Sequence, residues 1–422
     1  MKLTVRNMAK IVLAEFELNG ITVIAGNNDT GKSTIGKAVF ALFSALSNLE
    51  DRIKSTRKQG IRKILRTRGF WLEPSLIEGF LSAQMSDEDV LLKMEVYRSL
   101  SDETSIEEKE KCLEEMRKIR GLPDEQLRSS VISRHLSDVF AGQYLPLGQP
   151  DVRMDVELLV KGKAVCVRAS GEDVQYQAEV RLFHTAHYIE DPKVLEHLNA
   201  PRILVDDELA PFLLPRDARE QSLLQAIRFH TKRDSSEEPD VNALEDALTE
   251  NRLKEVFDVL ASVLPGKVVL NKQKRYVFKD SRLDAEVELP NLSMGMKVFA
   301  LLQLLLGTGT LQREDVLILD EPEVHLHPDW QLVYAEMVVL LQKHFDLTIL
   351  LTSHSSDFID ALQLFAHRHQ IDDRVNAYIS VPYKSQERSG VSFRLVDGSN
   401  WDRLYEKFLP ALNRLRELRN ME

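Results

Sequence analysis

The sequence predicts an α/β fold: a mixed sheet flanked by helices and built around a phosphate loop, with an antiparallel β subdomain and a helical insertion. Three observations carry this. A glycine-rich loop, Gly26 to Thr34, lies between a β-like run, Ile21–Ala25, and a helix-patterned run, Ile35–Leu46. A short, fully apolar run, Val316–Leu319, and a second buried run, Leu347–Thr352, have the character of strands buried on both faces of a parallel sheet. Between these regions, residues 151–182 alternate with period two, as half-buried antiparallel strands do.

Taken in order, residues 2–25 read as strands, Leu3–Val5, Ile11–Leu13 and Ile21–Ile24, with a turn at Asn19–Gly20. The loop that follows, Gly26-Asn27-Asn28-Asp29-Thr30-Gly31-Lys32-Ser33-Thr34, fits G-x-x-x-x-G-K-[ST]. Its glycines let successive backbone N–H groups curl around phosphate oxygens, and the next helix presents its positive N-terminus there. Lys32 then reaches the β- and γ-phosphates, and the Ser33 hydroxyl meets Mg²⁺. Chance produces such a match in roughly one chain in a hundred of this size, so we read a nucleoside triphosphate site.

Residues 50–140 change character: charge rises and helical spacing replaces β-branched runs. The segment opens with a basic stretch, Arg52, Lys54, Arg57, Lys58, Arg62, Lys63, Arg66 and Arg68, opposed only by Asp51. Lys54, Lys58 and Arg62 share a helix face. A solvated face is the plainer reading; contact with nucleic-acid phosphates or a partner is the sharper one. The heptad signal is too short for a long coiled coil, so we expect a compact helical insertion over 51–149.

Residues 151–182 read as antiparallel hairpins, with a turn at Lys161-Gly162-Lys163, continuing the first sheet. His184 and His187 stand near Glu190 and Asp191, but the run is extended, which favours a lobe edge or a nucleotide-side loop over a metal site. Helical pattern returns from Glu208 to Leu264, broken by a polar loop at Lys232–Pro239, and a hairpin follows at Lys267–Asn271 and Lys274–Phe278. Ser293 and Gly295, ahead of a helix over Val298–Leu306, form a second anion-binding N-terminus, free to close on a nucleotide held by another subunit.

The first apolar run ends in Asp320-Glu321-Pro322. A carboxylate at the carboxyl end of such a strand sits beside the phosphate loop, where Asp320 would hold Mg²⁺ and Glu321 would act as general base toward water. The second run ends in Ser353-His354-Ser355, which delivers His354 to the γ-phosphate region.

Together, Gly26–Thr34, Leu292–Lys297, Leu317–Pro322 and Leu351–Ser355 resemble the Walker A, signature, Walker B and switch-histidine motifs of ATP-binding-cassette ATPases of the SMC/RecF/OLD type. The run Glu321-Pro322-Glu323-Val324-His325-Leu326-His327-Pro328 is similar to the form found in OLD-like bacterial ATPases, many from antiviral defence systems. The resemblance implies a two-lobed ATPase head using ATP and Mg²⁺, dimerising head to tail, or forming a higher oligomer of such dimers. Ser293, Gly295 and Lys297 would then face the partner's ATP. His325 and His327 fall in the dimer-contact loop and are assigned to structure or subunit contact.

Lobe I would take 1–50 and 150–205, and the second lobe 265–422, ending in a C-terminal tail, with residues 206–264 its helical segment. Three departures stand out. The signature reads Ser293-Met294-Gly295-Met296-Lys297 where relatives carry a serine–glycine–glutamate run, and no Q-loop glutamine is assigned. The stretch after His354 has no D-x-D and is too short for the Toprim nuclease of OLD proteins, so a partner effector would supply any nuclease. A RecF-like ATPase that binds DNA is the alternative.

Composition sets the frame for both. The 422 residues are 43% hydrophobic and 29% charged, as in soluble globular chains. No apolar run approaches a membrane span, and the first ten residues lack a signal-peptide core. Cys112 and Cys166 are the only cysteines and form no C-x-x-C pair, which fits the cytoplasm. The net charge of −11 argues against a blanket nucleic-acid coat.

Overall fold

The computed structural model describes residues 1–47, 49–96, 102–149, 151–171, 173–199, 217–234, 253–283, 285–385 and 388–396. The chain opens with strands β1 (Lys2–Met8), β2 (Ile11–Glu17) and β3 (Ile21–Ala25), and the phosphate loop leads into helix α1 (Lys32–Leu46). The helix begins at Lys32, earlier than the apolar periodicity suggested, because Gly31 supplies a left-handed cap at φ 81°.

The insertion holds α2 (Leu49–Thr67), β4 (Phe70–Trp71), α3 (Pro74–Leu81), α4 (Asp87–Lys93), β5 (Glu95–Val96), α5 (Asp102–Arg120) and α6 (Asp124–Phe140). It has its own apolar core around Ile61, Phe70, Phe80, Val90 and Met116. It is compact, as expected. The α6 helix is excluded from that core and packs instead on α1 and the main sheet.

Strands β6 (Met154–Val160), β7 (Lys163–Ser170) and β8 (Asp173–Ala178) form the expected antiparallel meander and join β1. Lys161 and Gly162, at φ 49° and 80°, make the two-residue turn between β6 and β7. Strand β9 (Ala186–Ile189) follows. Helix α7 (Ala218–Asp234) and helix α8 (residues 253–261) occupy part of the expected helical region; its stretches 208–216 and 235–252 lie outside the described residues. Lys232–Asp234, read as loop, belong to α7, and residues 262–264 are already past α8.

Next come β10 (Gly266–Leu270), β11 (Tyr276–Asp280) and β12 (Ala285–Glu288), a small antiparallel sheet that extends the expected hairpin by one strand. Helix α9 (Met294–Gly307) starts four residues before the expected Val298, directly after its cap Ser293. The remaining elements are β13 (Val316–Asp320), α10 (Pro328–Phe345), β14 (Thr348–Ser353), α11 (Ser356–Arg368), β15 (Val375–Lys384) and β16 (Ser389–Val396).

The main sheet runs β8-β7-β6-β1-β2-β16-β15-β3-β14-β13-β9. Strands β15, β3, β14, β13 and β9 are parallel, and β8 to β2 are antiparallel. Parallel strands require cover on both faces, and alternation along β13 supplies it. Val316 and Ile318 enter the core shared with α1, while Leu317 and Leu319 enter the core shared with α9, α10 and α11.

The antiparallel pair β15–β16, which the sequence reading did not resolve into strands, joins the parallel core to the antiparallel wing. Its period-two signal is weak because Ser380 is a buried polar residue and Tyr378, beside buried Ala377, turns its hydroxyl to the backbone N–H of Glu17. The site's elements converge where β3, β13 and β14 end.

Candidate active site

The phosphate loop crosses from β3 to α1 under tight steric constraint. A Cβ on Gly26 would collide with the Ser380 hydroxyl, so the central hairpin packs directly beneath the loop. Lys32 is buried, and its Nζ donates to the carbonyl oxygens of Gly26 and Asn27, both at 2.9 Å. Asn27, Asn28 and Asp29 are exposed, and the Thr30 hydroxyl donates to the Asn27 carbonyl at 2.8 Å. Lys10, on the β1–β2 turn, pairs with Asp29. Beside the loop lies a cleft of about 370 Å³ whose lining includes Lys32, Ser33, Thr34, Glu321 and, from the end of the insertion, Phe140 and Gln143.

Two carboxylates reach the loop from the end of β13. Asp320, last residue of β13, accepts from Ser33 Oγ at 3.1 Å, from Tyr188 Oη at 2.6 Å and from Thr352 Oγ1. Asp320 is thus held from the loop and from both neighbouring strands, β9 and β14. Glu321 takes a left-handed conformation, φ 51°, and its N–H donates to the backbone and hydroxyl oxygens of Thr352, each at 3.1 Å. The Glu321 carboxyl is one-third exposed and lies 3.7 Å from Lys32 Nζ. His354 Nδ1 lies 3.4 Å from Glu321 Oε1. The structure therefore gathers Lys32, Ser33, Asp320, Glu321 and His354, which are scattered over more than three hundred residues of sequence.

Two residues without a role in the sequence reading belong to this cluster. Tyr188 is buried, and burial followed by the Asp320 charge pushes its hydroxyl well above the usual phenol range, so it stays a donor. Its ring packs against the Arg219 guanidinium at 4.6 Å, and Arg219 pairs with Glu190 and Asp217. Glu323 is also buried, and burial raises its carboxyl pKa despite hydrogen bonds from Ser353 and the His354 backbone. The acidic alternation of Glu321 and Glu323 was a visible signal for the latter. For Tyr188 the signal was position alone, in a strand now seen parallel to β13.

The signature-like residues are placed differently from one another. Ser293 is exposed and caps α9, accepting from the Met296 N–H at 3.3 Å. Gly295 is buried: a Cβ there would stand 2.8 Å from the Trp330 ring and 3.3 Å from the His325 carbonyl. Lys297 was expected to face outward, and it turns inward instead. It is buried and donates to Glu196 Oε1 at 2.6 Å and the Pro290 carbonyl at 3.0 Å. Burial of an ammonium is tolerable only with such partners, which accounts for the correction. None of the three lines the phosphate-loop cleft of its own chain.

The other candidates resolve as follows. His187 is buried on Asp315 at 3.3 Å, and His184 lies at the surface near Glu314. His325 and His327 are exposed, and His327 caps α10. Among the described residues, no group of three or more His, Cys, Asp or Glu side chains is placed to hold a metal ion. In the basic stretch, Arg57 pairs with Asp124, Lys58 with Glu78, and Arg68 with Glu108 and Glu115, while Lys54, Arg62 and Lys63 are exposed. No described helix is long and apolar enough to cross a membrane.

A family described as "AAA domain, putative AbiEii toxin, Type IV TA system" matches residues 175–360. That span contains the α9 cap, Asp320–Glu323 and His354, but not the phosphate loop. No curated protein matches the chain. Among solved structures it is similar to an SMC head bound to the C-winged helix domain of ScpA, at 10% identity over 94% of this chain and 98% of that one, TM-score 0.45. It is also similar to the SMC head domain from Thermotoga maritima, at 10% identity over 94% and 98%, TM-score 0.39. A third is an Smc head domain with an extended coiled coil bound to the C-terminal domain of ScpA, derived from Pyrococcus furiosus, at 12% identity over 98% of each chain, TM-score 0.41.

Proposed function

We propose that the chain is a cytoplasmic Mg²⁺-dependent ATPase that switches a partner effector by closing head to tail on ATP. The convergence of Lys32 and Ser33 with Asp320 and Glu321 carries the reading. Ser33 Oγ and Asp320 Oδ1, 3.1 Å apart, are a pair of hard oxygen donors, the type Mg²⁺ takes, and would hold it. Bound there, the metal supplies charge neutralisation on the phosphate oxygens.

The chain's own groups do the rest. Lys32 exchanges the Gly26 and Asn27 carbonyls for the β- and γ-phosphates of bound ATP, a substitution of one set of acceptors for another. Glu321, part-exposed in the cleft, takes the proton of the attacking water. His354 stands against Glu321 at the end of the neighbouring strand, where it contacts the γ-phosphate and holds the Glu321 carboxyl in register. In a head-to-tail dimer of two-lobed heads, the exposed Ser293 and the N-terminus of α9 close on the nucleotide of the other chain.

We assign the lobes the boundaries read from the sequence, with strands β15 and β16 in the central sheet. A partner effector is favoured over DNA clamping because Arg57, Lys58 and Arg68 are engaged with acids of the insertion itself. The matched family's description as a toxin of a type IV system supports a role beside a partner, of the kind that defence systems use. Phosphate release from ATP-Mg by the purified chain and by Lys32→Ala tests the core of this reading. Hydrolysis should vanish in the variant; equal rates would refute the site.

A further inference from the structure

Glu323 lies two residues beyond Glu321, in the 3-10 turn Pro322–His325, with its side chain 3% exposed. Its Oε1 receives the Ser353 hydroxyl at 2.6 Å and the His354 backbone N–H at 3.1 Å, and His354 Nδ1 stands 3.8 Å away. The same Nδ1 is 3.4 Å from Glu321 Oε1. The imidazole therefore sits between two carboxyls, one in the cleft and one in the core. Glu323 Oε2 is buried and has no hydrogen-bond partner among the described residues. Such an orphaned oxygen costs stability that an apolar side chain at the same position would not.

The end of β14 is pinned to this turn at two places. Thr352 accepts the Glu321 N–H, and Ser353 and His354 donate to Glu323. Pro322 between the two glutamates fixes its own φ, so the carboxyls do not move independently. Without the second pin, His354 is free to shift relative to Glu321 while the phosphate loop is untouched, since Glu323 is not among the residues lining the cleft.

We propose that Glu323 is a positioning residue for hydrolysis: as a buried acceptor it fixes the Ser353–His354 backbone and thereby sets the imidazole against Glu321. The inference rests on the ATPase reading above. Burial favours the neutral carboxyl, which glutamine copies in shape while keeping an acceptor oxygen at the same place.

Steady-state ATP hydrolysis by the full chain and its Glu323→Ala, Glu323→Gln and Ser353→Ala variants tests it. Glu323→Ala should lower kcat roughly 10- to 100-fold, as misplacement by about an ångström does. KM should stay within about threefold, because a purely positional loss does not weaken ground-state binding. Glu323→Gln should recover kcat to within about threefold of the unmodified chain, as an acceptor of the same shape. Ser353→Ala should fall between.

Unchanged kcat in Glu323→Ala overturns the proposal, and so does a Glu323→Gln as slow as Glu323→Ala, since charge would then be the requirement. If Glu323→Ala does not fold, Ser353→Ala decides: slowed turnover supports the pin, and an unmodified rate overturns it. An unmodified chain that hydrolyses no ATP refutes the ATPase reading and this inference together. An active chain indifferent to these changes refutes the inference alone.

Discussion

Removing one oxygen atom, in Tyr188→Phe, isolates what the structure says about Asp320. The Tyr188 hydroxyl donates to Asp320 Oδ2 at 2.6 Å, while Ser33 and Thr352 donate to Oδ1. The ring is buried against Arg219 and edge-on to Phe40, so phenylalanine keeps the packing. Hydrogen bonds to a charged group contribute about 1.5–3 kcal/mol. Loss of a partner that orients a metal-binding carboxylate typically lowers metal affinity about 10- to 100-fold. The half-saturating Mg²⁺ concentration for phosphate release should therefore rise by about that factor, measured by metal titration at fixed ATP. An unchanged or lowered value would refute the reasoning, because the hydroxyl would then be idle or competing with the metal.

Two further outcomes follow from other parts of the molecule. His135 on α6 is buried between Ser44 of α1 at 2.6 Å and Arg52 of α2 at 3.2 Å, and burial followed by the Arg52 charge lowers its pKa from 6.5 to about 3. The unfolded chain binds the proton first, so this contribution to stability is complete above pH 6.5 and declines as pH falls toward 3. The slope is about 1.4 kcal/mol per pH unit, or about 2 kcal/mol between pH 7 and 5. Urea midpoints at the two pH values should separate less in His135→Gln than in the unmodified chain, and equal separations would count against it. Separately, light scattering of Glu321→Gln should show mass doubling with ATP-Mg, since a ligand held between two chains favours their association. Adding Ser293→Arg should abolish the doubling, and a mass indifferent to both changes would leave Ser293 a helix cap only.

The sequence made the parallel core legible because its strands are apolar on both faces. Val316–Leu319 and Leu347–Thr352 carried that signal, and the residues closing them, Asp320–Glu321 and His354, reach one site. The β6–β7 turn was equally readable, since Lys161-Gly162 satisfies a backbone requirement by itself. Less visible were contacts set by tertiary placement. Strand β15 hides a polar Ser380 against Gly26, and Tyr188 acts only through its register beside β13. Lys297 was misread because the signature resemblance set it with Ser293 and Gly295, facing a partner's nucleotide. Its inward turn depends on Glu196, about a hundred residues away.

The central claim is that Glu321 accepts the proton of water attacking ATP held by Lys32. Glu321→Gln keeps the size of the side chain and removes that capacity. ATP binding and single-turnover hydrolysis measured together on this variant test the claim most directly. Affinity should be preserved while the hydrolytic rate falls roughly 10²- to 10⁴-fold, the range for a lost general base. Glu321→Gln hydrolysing ATP at the rate of the unmodified chain would contradict it.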